Sequence, residues 1–148
     1  MAKPAPSKSK KPMVAQQIFV NLPVDNLDKT VAFFTKLGFT FDPQFTDKNA
    51  ACMIIGENIF AMLLVKKFFK TFTKKTVVDA KKGTEVLLAL AVESRKRVDE
   101  IMVKAIKAGG KEPRKAQDHG WMYGRGFQDR DGHLWEVFFM DVPTLKRQ

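Results

Sequence analysis

The sequence has little of what would place it in a membrane, a secretory pathway or a disulfide-rich scaffold. It has one cysteine, Cys52, which cannot form an internal disulfide and suits a reducing compartment. No stretch of about 18 consecutive apolar residues is present, so we expect no membrane span. The N-terminus is basic, but no apolar segment follows it, so we expect no secretory signal. A cytoplasmic protein is therefore predicted.

Acidic residues are also scarce at the N-terminus, and the chain as a whole has a formal net charge of +10. The proline, serine and lysine content of residues 1–14 predicts a disordered basic tail, and residues 143–148 are expected to form a C-terminal tail. Excess basic charge leaves nucleic-acid association open. Because no RNA-binding signature accompanies it, solvated surface charge is the favoured interpretation, with nucleic acid disfavoured as a partner.

What the chain does have is an internal repeat. Residues 18–40 and 86–112 each contain an apolar run that ends in valine and an acidic residue, Val24-Asp25 and Val92-Glu93. Each run continues into an amphipathic stretch and closes on glycine. Two copies about 68 residues apart are too few for a solenoid. The pattern predicts a duplicated half-domain, with a ligand site between the halves.

Hydrophobic periodicity predicts a strand, a helix and three strands in each half. Asp25 or Asn26 is expected to cap the first helix, and Glu93 or Ser94 the second. The first half should span residues 15–65 and the second 85–142, joined by a basic linker over 66–84 with one helical turn around Phe68–Phe72. The predicted strands are 18–24, 39–45, 50–55, 59–65, 86–92, 111–117, 121–129 and 133–140.

Three features of the sequence resemble the vicinal oxygen chelate superfamily of glyoxalases, bleomycin-resistance proteins and extradiol dioxygenases. The opening segment reads FVNLPVDNLDKTVAFFTKLGF, and the closing one reads GFQDRDGHLWEVFFMD, with an Asp-x-Asp-Gly turn before the last strand. The paired modules are the third feature. Together they span about residues 17–141. More narrowly, the sequence is similar to a bacterial branch loosely labelled lactoylglutathione lyase.

The resemblance implies an α+β fold of two βαβββ modules that curl into a mixed sheet around a central cleft, and a homodimer. It also implies that metal-dependent members hold a divalent ion through up to four residues, from the first and last strands of each module. At the matching positions this chain has Phe19, Leu87, Glu136 and Ala61, or Met62 if the register slips. One carboxylate does not make a tight metal site, so no cofactor is expected and a divalent metal is disfavoured.

Glu136 remains the candidate catalytic residue. As an inward carboxylate in an apolar strand it is either a general base or ligand anchor, or a structural remnant paired with Arg125 or a backbone N–H. Tyr123, Trp121 and Asn21 are further candidate partners on strands expected to face the same cavity. Each has an ordinary alternative as a core or surface residue. The full set of candidate ligand-binding residues is Asn21, Met53, His119, Trp121, Tyr123 and Arg125.

Three functions follow in order of preference. The first is metal-free binding of a small aromatic or amphipathic molecule, as in the bleomycin-resistance type. The second is an enzyme, a lyase, isomerase or dioxygenase, that uses Glu136 with a metal and unforeseen partners such as His119, or Glu136 alone for acid–base work. The third is nucleic-acid association through the tail and linker, which steep salt dependence would reveal.

Overall fold

The computed structural model describes residues 11–141. The predicted tails over residues 1–14 and 143–148 therefore lie largely outside the described residues. None of the helices within 11–141 is long and apolar enough to cross a membrane. The strands are β1 (Ile18–Val24), β2 (Thr40–Asp42), β3 (Ala50–Gly56), β4 (Ile59–Val65), β5 (Leu87–Ala91), β6 (Gln117–Asp118), β7 (Met122–Gln128) and β8 (Leu134–Met140), and the helices are α1 (Leu27–Leu37), α2 (Lys66–Phe69) and α3 (Arg95–Lys107).

The strands form two mixed four-stranded sheets of equivalent topology, β1-β4-β3-β2 and β5-β8-β7-β6. In each sheet the first strand runs parallel to the last, and the other neighbours are antiparallel. A helix follows the first strand of each module. The α+β fold of paired βαβββ modules is confirmed.

Local sequence sets the helix ends as expected. The side chain of Asn26, rather than that of Asp25, accepts a hydrogen bond from the backbone N–H of Lys29. Gly38 adopts the left-handed conformation after α1, with φ of 108°. Ser94, rather than Glu93, caps α3.

Two predicted strands are much shorter than expected. The strand predicted over 39–45 ends at Asp42, because Pro43 begins a 3-10 turn in which the Asp42 side chain accepts from the N–H of Gln44. The strand predicted over 111–117 reduces to an isolated bridge between Lys111 and Gln128, followed by β6. Pro113 has no N–H to donate to a ladder, which accounts for the break.

Both modules share one hydrophobic core, with α1 and α3 packed against each other and against the sheets. Phe34 of α1 meets Trp135 of β8 edge to face, with ring centroids 5.2 Å apart. Phe33 packs at 6.0 Å from Phe127 of β7. The helix-facing side of each sheet is therefore buried. The opposite, open face of each sheet has exposed side chains such as Phe19 and Leu87, although Cys52 and Leu64 are buried on that face of the first sheet.

The closing turn over residues 129–132 ties the second module to the start of α1. The Asp131 carboxylate accepts hydrogen bonds from the backbone N–H of Asp25 (2.8 Å) and the hydroxyl of Thr30 (3.1 Å). Asp129 accepts from the indole N–H of Trp135 at 3.0 Å, and burial raises the pKa of the Asp129 carboxyl. The Asp-x-Asp-Gly motif thus links the two modules, and the hydrogen bonds of Asp131 to Asp25 and Thr30 are called the clasp below.

Candidate ligand-binding site

Strand register shows which residues occupy the open faces of the two sheets. In β1, Leu22 and Val24 belong to the shared core. Side chains alternate along a strand, so Phe19 and Asn21 point to the open face. The same alternation in β8 places Trp135 in the core and Glu136 on the open face, where the Glu136 side chain is 25% exposed.

Register also corrects one of the four positions that the family resemblance implies for a metal. In the second sheet Leu87 pairs with Leu134, and Glu136 lies two residues further along β8. In the first sheet Phe19 pairs with Phe60, so the residue equivalent to Glu136 is Met62. Ala61, the position expected from sequence, is fully buried on the helix-facing side. The position expected from the sequence is one residue before the correct one, and neighbouring residues in a strand point to opposite faces of the sheet.

The corrected set, Phe19, Met62, Leu87 and Glu136, does not fit a metal ion. Three of the four side chains have no atom that binds a divalent cation in competition with water. Within residues 11–141, no three histidine, cysteine, aspartate or glutamate side chains come together in the way a metal centre requires. The donor set therefore disagrees with the divalent-metal chemistry that the resemblance implies for other members.

Glu136 instead pairs with a cation that sequence reasoning missed. One guanidinium nitrogen of Arg114, Nη2, donates to both carboxylate oxygens, at 3.0 Å to Oε1 and 2.8 Å to Oε2. A shallow pocket of about 220 Å³ beside the pair is walled by Leu87, Leu134 and Gly126. Arg114 lies in the irregular segment before β6, so no strand or helix pattern could have indicated where its side chain points.

Arg125 and Tyr123 do not share the cavity of Glu136. Both are on the α3 side of β7, where Arg125 donates twice to Glu112 (2.7 and 2.9 Å) and once to Asp99 (3.0 Å). The Tyr123 hydroxyl donates to Asp99 at 2.6 Å. The Arg125 hydrogen bonds hold the pKa of the Glu112 carboxyl below its usual range. The expectation that Arg125 and Tyr123 face the same cavity as Glu136 is therefore wrong.

The other predicted residues are also dispersed. Met53 is fully buried in the core on the helix-facing side of β3. His119 and Trp121 stack on each other at an exposed surface, with ring centroids 6.3 Å apart. Of the six candidate ligand-binding residues, only Asn21 lines a pocket that both modules help to form.

That inter-module pocket has a volume of about 310 Å³ and lies between β1 and the segment that connects the modules. Asn21, Leu22 and Pro23 form the β1 wall. Apolar side chains of the connecting segment form most of the remainder, including Phe69, Val77, Val78, Ala80 and Val86. His133, which directly follows the closing turn, completes the wall from the second module.

His133 presents a defined polar atom at this pocket. Its Nε2 lies 2.7 Å from the carbonyl oxygen of Pro23, which can only accept, so Nε2 carries a hydrogen. In the neutral ring Nδ1 is then an acceptor. Nδ1 makes no hydrogen bond with the described residues. Every fully buried side-chain nitrogen among those residues has a hydrogen-bond partner, so Nδ1 must be in contact with solvent. It is available to a ligand that enters.

The turn that carries His133 also fixes the connecting segment over the pocket. Gly132 has φ of 95°, and a Cβ built on it would lie 2.6 Å from the backbone nitrogen of Lys81 and 2.7 Å from the carbonyl carbon of Ala80. Only glycine permits so close an approach. Sequence reasoning did not include His133 among the candidate site residues. Its distance of 110 residues from Pro23 explains why local pattern gave no signal.

Comparisons with known proteins agree with this fold. Residues 16–56 match the family model described as "Bleomycin resistance protein-like N-terminal". A hypothetical protein from S. aureus is similar in structure, with a TM-score of 0.72 and 28% identity over 86% of this chain and 95% of that one. No curated protein is detectably similar in sequence.

Two further solved structures have the same fold at lower identity. One is a glyoxalase-related enzyme from Fulvimarina pelagi, with a TM-score of 0.73 and 21% identity over 86% of this chain and 91% of that one. The other is a genomically encoded fosfomycin resistance protein from Listeria monocytogenes, with a TM-score of 0.62 and 19% identity over 86% and 92%. The chain therefore has the glyoxalase, bleomycin-resistance and dioxygenase fold. Its resemblance to the vicinal oxygen chelate superfamily is confirmed, in sequence over residues 16–56 and in fold over both modules.

Proposed function

We propose that this protein binds a small, largely apolar organic molecule in the inter-module pocket, without a metal. The pocket supports this proposal because its volume of about 310 Å³ is in the range of small-molecule sites. Its walls are mainly apolar, and a few polar groups, Asn21, Lys75 and the His133 ring among them, can orient a ligand. This combination is typical of ligand pockets in general.

The alternative function is a lyase, isomerase or dioxygenase that uses Glu136. One observation favours it: Glu136 is the single acid among the four positions of the open faces, and it remains partly exposed beside a small pocket. Against it stand the apolar side chains at the other three positions and the ion pair with Arg114. The inter-module pocket therefore carries the main proposal.

We further propose that the protein acts as a homodimer in the cytoplasm. Both β1 and β5 are edge strands whose open faces expose apolar side chains, with Phe19 at 42% and Leu87 at 55% exposure. A second copy that covered these edges would remove them from water. The free thiol of Cys52 fits a reducing compartment. Light scattering at micromolar concentration tests the dimer, and a monomeric mass would contradict it.

The test of ligand binding is a fragment screen by ¹H–¹⁵N NMR of the protein, repeated on two variants of matched chemistry. Val77→Trp adds bulk to the pocket wall, whereas Val103→Trp adds the same bulk at an exposed position on α3. We expect fragments that shift the amide signals of residues 21–23 and 76–86. Val77→Trp should abolish this binding and Val103→Trp should retain it. Hits that both variants bind equally would contradict the assignment to this pocket.

A further inference from the structure

The inter-module pocket lies under a strongly basic segment of the chain. Residues 66–86 contain seven lysines and two acids, Asp79 and Glu85, which gives the segment a net charge of +5. The lysines extend along both sides of the apolar stretch Thr76–Val78 that walls the pocket. An entering ligand therefore meets a positive potential before it reaches the apolar interior.

One of these lysines belongs to the pocket itself. Lys75 is the only lysine among the lining residues, and its neighbour Lys74 is not among them. Glu85 is the single acid in the lining, and it is exposed to solvent. A smaller adjacent pocket of about 170 Å³ is somewhat more acidic, because Asp25, Asp79 and Asp131 line it together with Lys66 and Lys81. The two pockets share Pro23, Val78, Ala80 and His133, and they differ in the balance of their charged side chains.

From this distribution of charge we propose that the inter-module pocket selects small apolar acids, molecules with one carboxylate on a hydrocarbon or aromatic body. The hydrocarbon packs against Phe69, Val77 and Val86, and the carboxylate lies toward Lys75. The His133 ring donates from Nε2 to the carbonyl oxygen of Pro23, so that nitrogen is not available to the ligand. The charge preference thus rests on Lys75 and the basic segment. This inference rests on the proposed function of the same pocket.

The probes that test it are hexanoate and methyl hexanoate, which differ in charge but share the same hydrocarbon body. Both are titrated into the full chain, and amide chemical shifts are followed by ¹H–¹⁵N NMR. We expect hexanoate to bind several-fold more tightly than the ester at low salt. Raising the salt to about 0.3 M should narrow that difference, because exposed charges are screened.

Lys75→Gln and Lys74→Gln are the matched variants, each of which removes one exposed charge from adjacent positions. We expect Lys75→Gln to weaken hexanoate binding roughly two- to five-fold, the range of an exposed ion pair, and to leave ester binding unchanged. Lys74→Gln should weaken hexanoate binding less. Equal losses in the two variants would overturn the role of Lys75.

The remaining outcomes separate this inference from the proposed function. If the ester binds the wild-type protein as tightly as hexanoate does, the preference for acids is overturned while ligand binding in the pocket stands. If neither probe shifts the signals of residues 21–23 and 76–86 at millimolar concentration, and the fragment screen also finds no ligand there, the proposed function fails and the inference fails with it.

Discussion

The carboxylate of Asp131 accepts a 3.1 Å hydrogen bond from the buried hydroxyl of Thr30, 101 residues earlier in the chain. The other carboxylate oxygen accepts from the backbone N–H of Asp25. These two contacts join the closing turn of the second module to the first turn of α1. They also hold Pro23 where its carbonyl meets His133, and so they help to form one wall of the inter-module pocket.

Removal of this clasp should destabilise the protein. In Asp131→Ala, the N–H of Asp25 and the hydroxyl of Thr30 lose their acceptor, and hydrogen bonds to charged groups contribute about 1.5–3 kcal/mol each. We expect the free energy of unfolding, measured in urea, to fall by roughly 3–5 kcal/mol, because the contributions of neighbouring contacts are not fully additive. Glu57→Ala, in the exposed turn between β3 and β4, should change it by no more than about 0.5 kcal/mol. Equal stability of the two variants would contradict the clasp.

Gly132 provides a separate test of how the connecting segment is held. An alanine there would adopt an unfavourable positive φ and would also collide with the backbone of Ala80 and Lys81. Gly38→Ala is the matched control, since φ at Gly38 is 108° but nothing lies within 4 Å of the added Cβ. Backbone strain alone costs about 1–2 kcal/mol in each variant.

The collision should make Gly132→Ala the more destabilising of the two by about 1–3 kcal/mol, the usual range for overpacking. Thermal unfolding of the two variants side by side checks this difference. A displaced connecting segment should also change amide shifts in residues 76–86 of Gly132→Ala, with no such change in Gly38→Ala. Indistinguishable melting curves would show that the connecting segment moves away from the added Cβ with no loss of stability.

Much of the fold could be predicted because its signals are local. Contiguous residues provide the apolar run of β1, the cap at Asn26 and the glycine after α1. The second module has the same order of strand, cap and helix. Where an element depends on long-range pairing, prediction failed. The segment before β6 was expected to form an edge strand over 111–117, yet Pro113 interrupts it after the isolated bridge at Lys111.

The candidate site was harder to predict because its parts come from distant positions. The shared face of Phe19 and Asn21 on β1 follows from alternation, which is local. Local sequence does not show that α3 lies against the face of β7 that bears Arg125. It also does not show that Arg114 reaches Glu136 from an irregular segment. Ala61 was chosen over Met62 because counting residues does not fix the register of a parallel strand pair.

Acid should weaken the network of Arg125 and Glu112. The Arg125 hydrogen bonds lower the pKa of Glu112, so its ionised form is more stable in the folded than in the unfolded protein. The stability that ionised Glu112 contributes is fully present above the ordinary glutamate pKa. It is lost as the pH falls through the lowered pKa of Glu112 in the folded protein. Glu112→Gln should therefore reduce the free energy of unfolding at pH 7 by about 1–2 kcal/mol, because both side chains keep some solvent contact.

The same variant should differ progressively less from the wild-type protein as the pH falls below the ordinary glutamate pKa, because the wild-type carboxylate then takes up a proton. Urea denaturation at pH 7 and at a series of lower pH values measures this difference. Glu57→Gln serves as a control, since Glu57 is exposed in a turn and has no described partner. A deficit in Glu112→Gln that persisted in full at low pH would mean that packing, rather than charge, accounts for it.

The role of Glu136 can be separated from that of the inter-module pocket. Glu136 and Arg114 form a partly exposed pair, with side-chain exposures of 25% and 50%. Such pairs contribute about 0.2–1 kcal/mol, so Glu136→Ala should fold with nearly wild-type stability. Glu136 is not among the residues of the inter-module pocket, so fragments that bind there should bind this variant with unchanged affinity.

Metal content of the wild-type protein and of Glu136→Ala, purified without chelator and without nickel resin, completes this test. Because Phe19, Met62 and Leu87 cannot replace the missing ligands, we expect well under one equivalent of any divalent metal in both preparations. Arg114→Met gives an independent check, since it frees the Glu136 carboxylate without removing it. Near-stoichiometric metal in the wild-type protein that disappears in Glu136→Ala would overturn the metal-free proposal. The open face of the second sheet would then become the site of a metal-dependent reaction.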